Sequence, residues 1–323
     1  MEQPAILRYA GMLRYDTAYG LAALDWRELP GRLEWASFAT AEQLARALAG
    51  ELVADSAVAA FLAGYGLALA AHAWADRPSE ARRAAIIQAG EWLRQARPAD
   101  RRLAGLLEPA LAHADAAILA GEDAGHALAQ YAGAALSRAD RAAERCGRVA
   151  AGLLDDGDHL LTCGYAGPAL GWLLATKGSG EVRLSVAGTP AQVAPRMTLA
   201  VAERLGITAR LVPPAAGGEH EGCSVCMVAA AQVALDGSVA AGPGAAELVA
   251  RARRAGLPCY ILSTDGPDPA CAGAAQLAGA PADTIAPEQI SAIVTHRGIY
   301  RPAMIARFLG DGDVPLDVIS LHS

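Results

Sequence analysis

Three side chains capable of proton transfer, Cys163, Tyr165 and Asp236, stand where two apolar runs of the chain end. The first run begins at His159, reaches Cys163 and passes through Tyr165 into small residues. The second covers residues 225–235 and leads into the Asp-Gly pair at Asp236. Thiol, phenol and carboxyl groups serve as general acids or bases when their surroundings tune the pKa. Each run predicts a strand followed by a loop, the position at which open parallel sheets hold ligands.

Each of the three side chains also has a structural interpretation. Cys163 is either an acid or nucleophile in a pocket, or a small buried residue at a strand end. Tyr165 either points its phenol into the same pocket or packs under a loop. Asp236 either lines the pocket or begins an ordinary Asp-Gly turn. Cys163, Tyr165 and Asp236 are therefore candidate catalytic residues.

Patterns for metals and cofactors are incomplete. His220, Cys223 and Cys226 have the spacing of half a zinc site, but no second ligand pair follows. On a strand, Cys223 and Cys226 would point to opposite faces. The sequence also lacks Gly-x-Gly-x-x-Gly after its first α/β strand and a Gly-Lys-Ser/Thr phosphate loop. We therefore expect no metal and no cofactor.

Length and charge limit the class of protein. With 323 residues, the chain is long enough for two domains. Its formal charge of -7 argues against a nucleic-acid partner, which requires a basic surface. Charged residues interrupt the apolar stretches, so we expect no membrane span. Six dispersed cysteines and no export signal predict a cytoplasmic protein with free thiols.

The elements that must position these residues fall into two regions. Residues 1–148 predict a helical domain with a small β element, and residues 149–323 predict a Rossmann-like α/β domain. In the second region short apolar strands alternate with helices, which indicates a doubly wound, mostly parallel sheet. The predicted strands are His159–Cys163, Val182–Val186, Ala209–Val212, Ser224–Val228, Cys259–Leu262 and Thr284–Ile285. The predicted helices are Val193–Leu205 and Gly244–Ala255.

The first region has its own sequence signals. Residues 5–9 and 12–15 around Gly11 predict a hairpin. Thr40 predicts a helix cap, and the almost uniformly apolar run Ser56–Trp74 predicts a helix buried on all sides. The later helices are predicted to be punctuated by prolines, at Pro78, Pro98 and Pro109.

Motifs along nearly the whole chain resemble those of the 5-methylthioribose-1-phosphate isomerase family. That family shares its fold with ribose-1,5-bisphosphate isomerases and with regulatory subunits of the eukaryotic initiation exchange factor. The segments that carry the resemblance keep the family's order; they are Leu24–Pro30, Ala63–Ala70, Ala96–Ala99, Leu161–Gly167, Asp236–Ala240 and Ile293–Gly298.

The resemblance implies a substrate pocket from which the reactive side chains are missing. Position by position, the family's cysteine falls on Gly164 and its aspartate on Ala231, while Gln232 replaces an arginine. Its phosphate-binding Arg-Gly pair falls on Ala54 and Asp55. Arg97 and Arg196 survive as possible anion contacts, although Arg97 could equally form a surface salt bridge. The expected substrate-binding residues are Arg97, Gly164, Arg196, Ala231 and Gln232.

Two functions remain open at this stage. The first is a repurposed enzyme that acts on a less anionic small molecule and does not perform the family's aldose-to-ketose phosphate isomerisation. The second is a non-catalytic pseudoenzyme that senses a ligand or serves as a regulatory subunit. We favour the enzyme slightly, because Gln232 and Tyr165 replace an arginine and an asparagine of the family. Such replacements suggest a pocket whose lining is adapted to a different ligand. The resemblance also implies a homodimer through the C-terminal domain, or a heteromer with a paralogue.

Overall fold

The computed structural model describes residues 7–17, 20–29, 32–213, 222–274, 277 and 283–309. Contacts divide the chain into two units. One is Arg8–Arg138, and the other comprises Leu7 and the described residues from Ala139 onwards. We predicted a boundary after residue 148, where the sequence pattern changes. The division by contacts and the predicted boundary both fall inside a single long helix, Ala124–Ala151.

The N-terminal unit begins with a three-stranded antiparallel sheet. Its strands, in spatial order, are β1 (Leu13–Asp16), β2 (Gly20–Leu24) and β3 (Trp35–Phe38). The predicted hairpin around Gly11 is wrong. Tyr9–Gly11 forms a 3-10 turn, and the hairpin lies one element later, between β1 and β2. Residues 5 and 6 of that prediction lie outside the described residues.

Five helices follow, and aspartate and threonine side chains cap most of them. They are α1 (Ala41–Ala49), α2 (Ser56–Ala73), α3 (Ser79–Ala96), α4 (Arg101–Ala120) and α5 (Ala124–Ala151). The predicted cap at Thr40 is confirmed, because its hydroxyl accepts the Gln43 N–H at 3.2 Å. Asp55, Asp100 and Asp123 cap α2, α4 and α5 in the same way.

Helix α2 is the central helix that the apolar run predicted. Thirteen of its 18 residues are buried, so it presents no polar face. By length and composition α2 and α4 are both sufficient to cross a membrane, although 72% of the α2 window is buried inside the protein. These two helices differ from the expectation that charged residues interrupt every apolar stretch. Their alanine-rich sequences carry few charges.

Proline does not end every helix as predicted. Pro78 precedes α3, and Pro98 lies between α3 and α4, but Pro109 lies inside α4. An interior proline loses one backbone hydrogen bond and crowds the carbonyl four residues earlier. The apolar face of α4, which includes Leu106, Leu107 and Ala110, is buried on both sides of this position. Packing of that face therefore outweighs the local cost.

The α/β unit is built on a nine-stranded sheet. Its main path runs β12-β11-β9-β7-β4-β5-β6, with β8 and β10 attached beside β7. Except for β12, the strands of the main path are parallel. The strands are β4 (His159–Cys163), β5 (Arg183–Ala187), β6 (Thr208–Val212), β7 (Val225–Val233), β8 (Val239–Ala241), β9 (Cys259–Ser263), β10 (Asp283–Ile285), β11 (Ala292–Thr295) and β12 (Gly298–Tyr300).

Helices cover this sheet in the Rossmann-like manner that the sequence predicted. They are α6 (Gly167–Lys177), α7 (Val193–Arg204) and α8 (Ala245–Arg254). Helix α8 packs over a buried cluster that includes Leu161, Cys226 and Ile261 from three neighbouring strands. The C-terminal part of α5 packs against α6, where Gly147 leaves no room for a side chain. The six predicted strands are confirmed within a few residues, and β8, β11 and β12 were missed.

Candidate functional site

The loop that follows β4 leaves open space at the carboxyl end of the sheet. Gly164 has a φ of +60°, a left-handed conformation that favours glycine. A Cβ built on Gly164 would meet nothing within 4 Å, so the space above it is unfilled. Cys163 and Tyr165 flank this glycine and are both half-buried. The loop leads directly into α6, whose N-terminus has no side-chain cap.

Helix α7 holds this loop in place. The Thr198 hydroxyl donates a hydrogen bond to the Gly164 carbonyl at 2.7 Å, and Thr198 itself is buried. Arg196 lies half a turn earlier on the same helix and is half-buried. Cys163, Gly164 and Tyr165 therefore lie together at the carboxyl end of β4, and the predicted residue Arg196 lies on the helix that holds this loop.

The end of β7 supplies the adjoining part of the site. Up to Ala229, β7 pairs with β9, and from Ala230 onwards it pairs with β8. The register shifts between Ala230 and Gln232, so Ala231 forms a β-bulge and is exposed. The Gln232 amide donates to the Asp268 carboxylate at 2.6 Å. A hydrogen-bonded amide and carboxylate thus stand beside an alanine with no functional group.

Asp236 has a structural role in the turn between β7 and β8. Its carboxylate accepts the Ser238 N–H at 2.8 Å, and its own N–H donates to the Ala272 carbonyl at 3.2 Å. A Cβ on Gly273 would come within 2.7 Å of the carboxylate, so this side chain is closely enclosed. These contacts match the turn interpretation of the Asp-Gly pair.

Arg97 belongs to the N-terminal unit and is occupied by backbone contacts. Its guanidinium donates to the Val53 carbonyl and, at 3.5 Å, to the Leu48 carbonyl. Asp100 lies 3.7 Å from the same guanidinium. Arg97 therefore ties the end of α3 to the segment between α1 and α2. Asp55, where the resemblance places a phosphate-binding glycine, caps α2.

The Cys163 thiol has an unusual electrostatic environment. Burial, together with the carboxylate of Asp283 on β10, raises the pKa of this thiol to about 12. The thiol is therefore protonated at neutral pH and is a proton donor rather than a nucleophile. Sequence analysis did not identify Asp283 or Asp268. The available signal was an aspartate directly before a predicted strand, in an otherwise alanine-rich region.

The remaining cysteines of the α/β unit belong to its core. Cys226 and Cys259 stand opposite each other on β7 and β9 and are fully buried. Cys223 is half-buried at the start of β7 and lies close to the Ser185 hydroxyl. His220 lies outside the described residues. Within the described ranges, no three His, Cys, Asp or Glu side chains are grouped to hold a metal ion.

The sheet order and the open strand-end site define an α/β protein with a Rossmann-like unit. The unfilled space beside Gly164 lies at the carboxyl end of β4. The chain belongs to the Initiation factor 2 subunit family, whose sequence model matches residues 52–264. This membership, with the structural relatives described next, confirms the resemblance inferred from the motifs. No curated protein sequence matches the chain significantly.

Solved structures from two functional branches share this fold. One is 5-methylthioribose 1-phosphate isomerase from Pyrococcus horikoshii OT3, with a TM-score of 0.74 and 19% identity over 94% of this chain and 96% of that chain. Another is translation initiation factor eIF-2B, subunit delta, from A. fulgidus, with a TM-score of 0.70 and 21% identity over 91% of this chain and 96% of that chain. At these identities the likeness establishes the fold, and the activity must be argued from the site.

Proposed function

We propose that this protein binds and transforms a small, weakly charged molecule at the strand-end site. The observation that carries the proposal is the unfilled space beside Gly164, which directly follows Cys163, whose thiol is protonated at neutral pH. The neighbouring Gln232–Asp268 pair adds a donor and an acceptor for hydroxyl or carbonyl groups. Such a site has room for a polar ligand and a group that supplies a proton.

The charges of the site disfavour a phosphate dianion. Asp268 and Asp283 place carboxylates at the strand ends, and Ala54 and Asp55 stand where the resemblance expects a phosphate-binding pair. Arg97 is already bonded to two carbonyl groups. Charge-assisted bonds supply much of the affinity for phosphate, so this arrangement favours a ligand with little negative charge.

The first prediction concerns the reaction of the isomerase branch. We expect no turnover of 5-methylthioribose 1-phosphate by the purified full-length chain, because the family's thiol and carboxylate positions are Gly164 and Ala231. The measurement is ketose formation followed by NMR, with an active isomerase as the positive control. Isomerisation at a rate typical of enzymes would contradict the proposed site.

A regulatory role is the second candidate. It is favoured by Gly164 and Ala231, which stand where the resemblance places the family's cysteine and aspartate. The likeness to eIF-2B subunits also favours it. A pure ligand sensor would be stabilised by its ligand without converting it. Thermal shift with unphosphorylated sugars and nucleosides, followed by NMR of the same mixtures, separates binding alone from turnover.

A further inference from the structure

We propose that a pocket in the N-terminal unit binds a small, neutral molecule with two fused aromatic rings. The pocket, which we call the tryptophan pocket, lies where the turn between β3 and α1 meets α2 and α3. Trp74 and Trp92 line it, together with Leu69 and five alanines. This inference goes beyond the function proposed for the strand-end site, because all the lining residues belong to the N-terminal unit.

Local structure fixes the three walls of the tryptophan pocket. The turn before α1 is held by Gln43, whose backbone N–H donates to the Thr40 hydroxyl at 3.2 Å and whose side-chain oxygen accepts the Ala39 N–H at 2.9 Å. Trp74 directly follows the last residue of α2, and Trp92 lies within α3. The pocket is therefore built from ordered elements and is present without a ligand.

Small side chains keep this space open between two large aromatic ones. Each of the three helices contributes an alanine to the lining: Ala41 from α1, Ala70 from α2 and Ala85 from α3. Trp74 is 43% exposed and Trp92 is 37% exposed, although tryptophan is on average a highly buried residue. Aromatic surface that is left exposed around a cavity is typical of a binding site.

The volume of the pocket sets the size of its ligand. An apolar cavity of about 150 Å³ engineered into another protein stays dry and binds benzene. The tryptophan pocket has a volume of about 270 Å³, so it has room for two fused rings. Pockets for drug-sized ligands begin at about 300 Å³, which excludes a much larger molecule. A planar aromatic ligand also gains from stacking against, or edge contact with, the indole rings.

The side chains of the pocket set the charge of the ligand. Glu42 is the only charged side chain among the described residues that line it, and this carboxylate pairs with Arg46 one turn later on α1. An anion would meet the carboxylate without a lining cation, and a cation would compete with Arg46. Thr40 and Gln88 also line the pocket and offer groups for a single hydrogen bond. The lining therefore favours a neutral ligand.

Isothermal titration calorimetry of the full-length chain with indole, indole-3-acetate and tryptamine tests this ligand class. We expect indole to bind with a Kd below about 1 mM, within the range that a molecule of this size can reach. Indole-3-acetate should bind at least about tenfold more weakly, because its charge is left unpaired. Tryptamine should bind no more tightly than indole. No detectable binding of indole, or tighter binding of either charged probe, would overturn the proposal.

Two pairs of variants on α3 test whether the indole occupies the tryptophan pocket. Ala85→Leu adds a larger side chain to the lining, and its control, Ala84→Leu, changes an exposed neighbour that does not line the pocket. Trp92→Ala removes one wall, and its control, Ile87→Ala, shortens an exposed side chain outside the pocket. We expect Ala85→Leu and Trp92→Ala to weaken indole binding at least about tenfold, and both controls to stay within about twofold of the wild type.

Melting curves and light scattering of the same variants complete the test. We expect each variant to melt cooperatively and to keep the mass of the wild type. If Ala85→Leu does not fold, Ala73→Leu replaces it, because Ala73 lines the pocket at an exposed position. Unchanged indole affinity in the pocket variants would place the indole elsewhere and overturn the proposal. A changed mass in these variants alone would assign the pocket to a protein contact and would overturn it too.

Discussion

At the scale of single residues, a series of hydrogen bonds at the beginning of β4 determines which ring nitrogen of His159 carries the proton. Its Nδ1 lies 3.0 Å from the Gly222 carbonyl, which can only accept, so Nδ1 carries the proton. Its Nε2 therefore accepts from the Ser185 hydroxyl at 2.9 Å, and the Arg210 Nε–H donates to that same hydroxyl oxygen at 3.0 Å. These hydrogen bonds join β4, β5 and β6 through the neutral imidazole of His159.

This arrangement predicts a pH dependence of stability. Burial, and then the charges of Arg183 and Arg210, lower the pKa of His159 below its ordinary value of 6.5. Between the folded-state pKa and about 6.5, the unfolded chain binds more protons than the folded chain. The free energy of unfolding therefore falls as the pH is lowered through this window, and this loss levels off below the folded-state pKa.

Urea unfolding at several pH values between 8 and 5 measures the effect. We expect the wild type to lose more stability over this range than His159→Gln, which has no group to protonate. His126→Gln, a substitution of an exposed histidine on α5, serves as the control and should keep the wild-type slope. Parallel slopes for the wild type and His159→Gln would contradict the assignment.

At the scale of elements, the contact between α5 and α6 depends on the absence of a side chain at Gly147. A Cβ there would lie 2.4 Å from the Ala169 carbonyl oxygen and 2.5 Å from the Trp172 Cβ. Both atoms are at or next to the backbone of α6, so they cannot rotate away. The two helices are therefore as close as their backbones allow.

Two glycine substitutions in helices should consequently have opposite effects. We expect Gly147→Ala to destabilise the protein by about 1 to 3 kcal/mol, because the helices must move apart. In α4, a Cβ on Gly105 would meet nothing within 4 Å, so Gly105→Ala should stabilise by about 0.5 to 1 kcal/mol through helix propensity alone. Chemical denaturation of both variants is the measurement. Equal effects would show that helix propensity, rather than packing, controls the outcome.

The elements also show what a sequence can predict. Apolar runs located β4, β5, β7 and β9, because buried strands of parallel sheets are nearly continuous in apolar residues. Two of the missed strands, β8 and β12, have only three residues each, and their pairing depends on tertiary contacts. The prediction that Pro109 interrupts the helices was wrong, because packing of the apolar face of α4 outweighs the cost of an interior proline.

The site was predictable in part for the same reason. Cys163, Gly164 and Tyr165 follow a recognisable strand, so their position at its carboxyl end could be inferred. Asp283 could not, because the effect of its carboxylate on the pKa of Cys163 depends on the pairing of β7 with β8 and of β8 with β10. Residue type alone also failed to show that Arg97 is occupied by backbone carbonyls.

At the scale of the whole molecule, the chain combines a helical unit and a Rossmann-like unit, a fold that it shares with a 5-methylthioribose 1-phosphate isomerase and with eIF-2B subunits. Among the solved relatives is a tetrameric complex of eIF2B beta and delta subunits from C. thermophilum, which matches with a TM-score of 0.57. We propose that this chain forms a homodimer through its C-terminal domain, or a heteromer with a paralogue, as the resemblance implies.

Light scattering after gel filtration tests this proposal. We expect a mass about twice that of the 33.1 kDa chain at micromolar concentration. The acidic charge of the chain should also keep it from binding duplex DNA at physiological salt. A strictly monomeric protein that becomes larger only with a second, different chain would support the heteromer instead.

The bulge at Ala231 has a consequence for how this protein can evolve. A residue that faces solvent at an irregular point of a strand contributes little to the core, so its codon can change with little effect on folding. The same position lies in the end of β7 that extends beyond its pairing with β9. New side chains can therefore be sampled there one mutation at a time, and a lineage can lose, regain or replace a reactive group while the scaffold persists.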